Sequence, residues 1–215
     1  MITVCITSCN RFDLLKTTID SFLNLNSYPI SKYLLNEDSA NTEMVEKIKS
    51  RYGDLFEIIF KGVNEGLLQS VDNLYQLVET EYIMHIEDDW LFQGNVNFIQ
   101  ESLTILEQNP NIHQIWIRHG IPDSWLEQPK NKIYRMVKNC HFGDWCGFSF
   151  NPGLRRKSDY VKMFPNGFNV HNLHGSNSVL SEHDCNMVAS AQGYRAAILS
   201  KPACRHIGDG KSTYK

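Results

Sequence analysis

Three consecutive carboxylates, Glu87-Asp88-Asp89, follow directly on the apolar run Tyr82-Ile83-Met84-His85-Ile86. Adjacent acids at the end of a buried strand repel one another and resist burial. A divalent cation removes that cost, and hard oxygen ligands suit Mg²⁺ or Mn²⁺. Such an ion can bridge a diphosphate and stabilise it as a leaving group. The plainer reading is that Asp88 and Asp89 cap a following helix or face water. Their place at a strand end, beside Trp90, favours the metal.

A second acidic group, Ser181-Glu182-His183-Asp184, opens a late helical pattern. A helix N-terminus favours acids through its dipole, which accounts for the group without chemistry. The same carboxylates could also take a proton from an attacking hydroxyl. The aromatic, turn-rich stretch 144–153 contains Trp145, which with Trp90 is a candidate to stack on a sugar or an acceptor. A core role for both rings competes with that reading.

The elements that must position these groups alternate along the first half. Residues 2–7 are apolar and β-branched, as in a buried parallel strand. Asn10 and Asp13 read as the cap of a helix carrying Leu14, Leu15, Ile19, Phe22 and Leu23 on one face. Strands at 32–35, 56–60 and 82–86 alternate with helices around Met44–Ile48 and Leu67–Val78. This order predicts an α/β fold with a doubly wound, mostly parallel sheet flanked by helices. Ligands of such sheets bind beyond the carboxyl ends of the strands. Asn36-Glu37-Asp38, Asn64-Glu65-Gly66 and the acidic triplet all fall at those ends, so they converge on one site. The second half is less regular: a helix over 96–106, a strand over 112–117, a helix over 179–191, a last strand over 194–199 and a short polar tail after Pro202. One domain over 1–215 is expected, with a nucleotide-binding half at 1–110 and an acceptor half at 111–215.

Composition excludes several classes. Of 215 residues, 42% are hydrophobic and 21% charged, as in a globular chain. A net charge of −3 gives no field for nucleic acid. No apolar run is long enough for a transmembrane segment. The opening residues lack a basic n-region, so they read as a core strand rather than a secretory signal. None of the six cysteines forms a C-x-x-C pair, and a reduced, cytoplasmic setting is expected. Gly208-Asp209-Gly210-Lys211-Ser212-Thr213 imitates the end of a P-loop, but Arg205 stands where the leading glycine is needed.

In order and spacing these segments resemble the family 2-type glycosyltransferases of the GT-A fold. Ile6-Thr7-Ser8-Cys9-Asn10-Arg11 is similar to the family's opening strand and loop. Asn64-Glu65-Gly66 is similar to its Asn-x-Gly segment, and 81–89 to the strand entering its DxD motif. The resemblance implies a metal-dependent enzyme that transfers a sugar from a nucleotide-sugar donor, UDP-linked by default, with inversion. The acceptor would be a saccharide, a lipid-linked sugar or a protein. Thr7, Arg11, Asn64 and Gly66 would line the donor pocket, Glu37 or Asp38 would contact the base, and Asp88 the ribose. Asp89 would hold Mn²⁺ or Mg²⁺, with His206 as a further ligand. Glu182 or Asp184 would be the base, Glu182 preferred. Two rivals stand beside it: a metal-dependent phosphohydrolase or nucleotidyltransferase that uses the same acids on two metals, and an inactive nucleotide-sugar-binding module that retains the fold.

Overall fold

The computed structural model describes residues 1–129, 132–138, 147–171 and 178–210. Eight strands form one sheet in the order β3-β2-β1-β4-β8-β6-β9-β7. They are β1 (Ile2–Ser8), β2 (Lys32–Glu37), β3 (Glu57–Phe60), β4 (Tyr82–Glu87), β6 (Ile112–Trp116), β7 (Tyr134–Met136), β8 (Gly153–Arg156) and β9 (Arg195–Leu199). The β3-β2-β1-β4 part is parallel throughout. Strand β8 runs antiparallel to both β4 and β6, and β7 antiparallel to β9, so the sheet is mixed and mostly parallel. Because β8 inverts twice, the carboxyl end of β6 returns to the edge where β1, β2 and β4 end.

Helices α1 (Phe12–Leu25), α2 (Thr42–Tyr52), α3 (Leu67–Gln76), α4 (Phe98–Gln108), α5 (Lys157–Met163) and α6 (Ser178–Ala191) flank the sheet. In α1 the buried residues Leu14, Leu15, Thr18, Ile19 and Phe22 form one stripe at helical spacing. Of these, Leu15, Ile19 and Phe22 pack with Ile2, Val4 and Ile6 of β1 in the larger core cluster. Asn41 caps α2 by accepting from Glu43 N–H at 3.0 Å and Met44 N–H at 3.2 Å. Asn10 does not cap α1. It sits at φ 56° and donates its N–H to Glu37 Oε1 at 2.8 Å, which ties the first loop to the end of β2.

The polar tail expected after Pro202 instead makes a strand. Residues β10 (Cys204–His206) pair antiparallel with β5 (Trp90–Phe92), which sets His206 opposite Trp90. Hydroxyls of α1 hold β5 in turn: Thr18 accepts from Trp90 N–H at 2.9 Å and Ser21 from Phe92 N–H at 3.0 Å. Cys5, Cys9, Cys185 and Cys204 are free, buried thiols.

Candidate active site

The acidic triplet lies where the strand order changes direction, between β1 and its two parallel neighbours. Thr7 sits in register with both Asn36 and Glu87, so the ends of β1, β2 and β4 lie side by side. A narrow crevice there, of about 20 Å³, is lined by Thr7, Cys9, Arg11, Asp38, Glu87 and Asp88 among others.

Arg11 lines this crevice and bridges the Asp88 and Asp89 carboxylates. Its Nε donates to Asp88 Oδ2 at 3.1 Å, its Nη2 pairs with Asp88 Oδ1, and its Nη1 lies 3.0 Å from Asp89 Oδ2. One planar cation thus answers two carboxylates. Burial pushes Asp88 up to about 6 even though Arg11 pulls the other way. Burial, with the charges of Asp89 and Glu182 behind it, pushes Glu87 further, to about 8.

Asp38 accepts from Glu65 N–H at 2.7 Å and Gly66 N–H at 2.8 Å, and its carbonyl from Asn64 Nδ2 at 2.8 Å. The Asn-Glu-Gly segment is therefore clamped to the end of β2, with Gly66 at φ 85° where α3 begins. Glu37 is buried and spends one oxygen on Asn10 N–H. Of this pair of acids, Asp38 is the one that lines the crevice.

The β5–β10 pairing brings His206 Nε2 to 3.3 Å from Asp89 Oδ2. The other ring nitrogen, Nδ1, is 2.9 Å from Asp209 Oδ1, a carboxylate–imidazole arrangement that fixes ring orientation. Two ligands of one octahedral ion stand about 3 Å apart, so this spacing fits a shared cation. No ready-made group of three metal-binding side chains exists among the described residues. Such a pair would leave coordination positions for phosphate oxygens.

Glu182 lies on α6 and is held by the segment before β8. Its Oε1 accepts from Phe150 N–H at 2.7 Å and Ser149 Oγ at 3.1 Å. Burial raises its pKa against these two bonds. Its charge acts on Glu87, so it faces the end of β4. Asp184 is instead 3.8 Å from His183 Nδ1. Trp90 is 1% exposed, with its Nε1–H 3.4 Å from Glu87 Oε2 and its ring 5.2 Å from that of His206. Its ring supports the site from within the core. Trp145 lies outside the described residues.

Two residues of this site carry no signal in the sequence. Arg118 lies beyond β6 near Glu182 and Glu87, and Ser149 holds Glu182. Ser149 falls in the aromatic stretch 144–153 with nothing there to mark its hydroxyl, and only the return of β6 to the active edge places Arg118 there.

The glycosyl transferase family 2 model matches residues 3–183. The chain belongs to this family. Solved GT-A structures share its fold. TarS residues 1–349 from S. aureus superposes with a TM-score of 0.69 at 14% identity, covering 96% of this chain and 60% of that one. A mannosyltransferase from Pyrobaculum calidifontis, PcManGT, solved with GDP-Man and Mn²⁺, matches with a TM-score of 0.64 at 13% identity, covering 99% and 58%. GalNAc-T7, solved with UDP, GalNAc and Mn²⁺, gives 0.69 at 12%, covering 96% and 43%. The chain thus spans about 60% of the TarS fragment. No curated protein matches it significantly. Among the described residues, no helix is long and apolar enough to cross a membrane.

Proposed function

We propose that the chain transfers a sugar from a nucleoside-diphosphate sugar to an acceptor hydroxyl, with a divalent cation and with inversion at the anomeric carbon. One observation carries this reading: His206 Nε2 and Asp89 Oδ2 converge at 3.3 Å beside an Arg11-braced Asp88. Asp89 and His206 would hold Mn²⁺ or Mg²⁺, a mixed oxygen and imidazole set that suits Mn²⁺ better. When bound, the ion supplies charge neutralisation for the departing diphosphate.

The chain's own residues do the rest. Asp88, oriented by Arg11, faces the ribose side, with Thr7, Asp38, Asn64 and Gly66 shaping the donor pocket. Glu182, fixed by Phe150 N–H and Ser149, takes the proton of the attacking hydroxyl as that oxygen bonds to the anomeric carbon. The bond to the diphosphate breaks on the opposite face. Glu182 fits this role better than Asp184, because Phe150 N–H and Ser149 Oγ hold its carboxylate in place.

UDP is the favoured nucleotide, since TarS has been solved with UDP-GlcNAc, although PcManGT was solved with GDP-Man. The acceptor is a saccharide, a lipid-linked sugar or a protein, and the setting cytoplasmic. A thermal-shift series of UDP- and GDP-sugars with and without Mn²⁺ tests the donor side, because a ligand of the native state raises Tm. A metal-dependent rise for an intact nucleotide-sugar is expected. Glu182→Ala should keep that rise and lose transfer. Equal shifts without metal, or turnover surviving in Glu182→Ala, would overturn the reading. No turnover in the native protein with any donor would mark an inactive binding module.

A further inference from the structure

Arg118 stands just past β6, and the C-terminal segment fixes its backbone on both sides. Residues 118 and 204 form a β-bridge, Ala203 N–H donates to Ile117 O at 2.7 Å, and His119 N–H donates to Cys204 O at 2.9 Å. Its guanidinium carbon lies 5.4 Å from the ring centre of Trp116 and 5.9 Å from that of Trp90. Both rings are buried, so the cation is seated against a rigid apolar wall.

Among the described residues, the head group meets no carboxylate or carbonyl acceptor, and its Nε is buried without a hydrogen-bond partner. The other arginines of the interior differ: Arg11, Arg155, Arg156 and Arg195 each donate to a carboxylate or a carbonyl. Burial weakens the charged form of Arg118, and the carboxylates that oppose this are Glu182 first, then Glu87. Were Arg118 only a counter-charge for those two acids, a direct pair would form, since Arg and carboxylate match as two parallel bonds. A buried Nε–H with no acceptor is costly unless a ligand completes it.

We propose that Arg118 recognises an anionic group, a carboxylate or phosphate, carried by the acceptor or by the transferred sugar; this rests on reading the Glu87–Glu182 cleft as the transfer site. The donor diphosphate is not the partner, because its place is with Asp89, His206 and Arg11. Arg118 keeps company instead with the base, on the side where acceptor and sugar meet.

The test is NMR of arginine Nε–H groups in the full native chain with Mg²⁺. The Arg118 cross-peak is assigned by its loss in Arg118→Lys, or in Arg118→Gln if the lysine variant does not fold. UDP should move the Arg11 peak and leave that of Arg118 in place. A methyl glucuronoside or glycerol 3-phosphate added to the UDP complex should then move the Arg118 peak saturably, whereas a methyl glucoside should not. That outcome puts the charge on the acceptor. Movement with UDP-glucuronate but not with UDP-glucose puts it on the transferred sugar. A shift with UDP alone, or no response to any of these anions, overturns the proposal. If neither UDP nor GDP moves any peak, the sugar-transfer reading itself fails and this one with it.

Discussion

Gly208 lies directly against Asp89: a Cβ on Gly208 would fall 2.3 Å from Asp89 Oδ2 and 2.8 Å from its Cγ. The backbone at 208 is not left-handed, so the requirement is for space rather than for an unusual φ. Gly208→Ala should therefore fold normally and push the Asp89 carboxylate away from His206. Outer-shell changes of this kind cost about 10- to 100-fold in metal affinity. Calorimetry of UDP with Mn²⁺ should show a loss in that range, with the Tm of the metal-free protein little changed. Unaltered affinity would remove Asp89 and His206 from the metal site.

Glu87 gives the metal-free protein a characteristic pH dependence. Its carboxyl moves from an ordinary 4.5 to about 8 on burial, beside Asp89 and Glu182. Between those values the native state binds a proton that the unfolded chain releases. Stability is therefore full below about 4.5 and declines as pH rises toward 8. Asp88, raised to about 6, adds to the slope with the same sign. The Tm without metal should fall from pH 5 to pH 8, and Glu87→Gln should flatten the fall. A Tm that is flat across this range, or equally steep in Glu87→Gln, contradicts the assignment.

The parallel half of the sheet was legible because its signals are local. Apolar runs such as 2–7 and 82–86 are buried on both faces, and the polar clusters follow them directly. The helix boundaries shifted by only a residue or two, as in α4, expected at 96–106 and found at Phe98–Gln108. Strands β5, β7, β8 and β10 were not legible. Each has three or four residues, too few to show a period, and their pairing is non-local. His206 illustrates the consequence: a tail residue by sequence, it reaches Asp89 only through the β5–β10 pairing. Arg118 and Ser149 were missed for the same reason, since long-range packing alone brings them to Glu182.

Ser149 should act on transfer through Glu182 rather than through substrate. Its hydroxyl is one of two groups donating to Oε1, and it favours the ionised form. Ser149→Ala removes that support, so the Glu182 pKa should rise further. A base works only when deprotonated, so the acid limb of the pH–kcat profile should move to higher pH. The loss of kcat should therefore be concentrated on the acid side of the profile, where Glu182 is increasingly protonated. KM for the donor should not change. A uniform fall in kcat at every pH would show that Ser149 does not tune the base.

Asp72 is the stability counterpart of these changes. From α3 it accepts from Phe168 N–H and Asn169 N–H at 2.8 Å each and from Tyr160 O–H at 3.0 Å, tying α5 and the segment after it to the helix that follows Gly66. Burial raises its pKa while these three donors pull it down. Asp72→Ala leaves three donors without an acceptor in a buried place, where each unmet group costs about 1–3 kcal/mol. A loss of about 3 kcal/mol or more is expected by urea unfolding. Glu46, paired with Lys49 on an exposed helix face, is the control, and Glu46→Ala should change stability by less than about 0.5 kcal/mol. Equal effects of the two substitutions would mean that the Asp72 clamp contributes nothing to the fold.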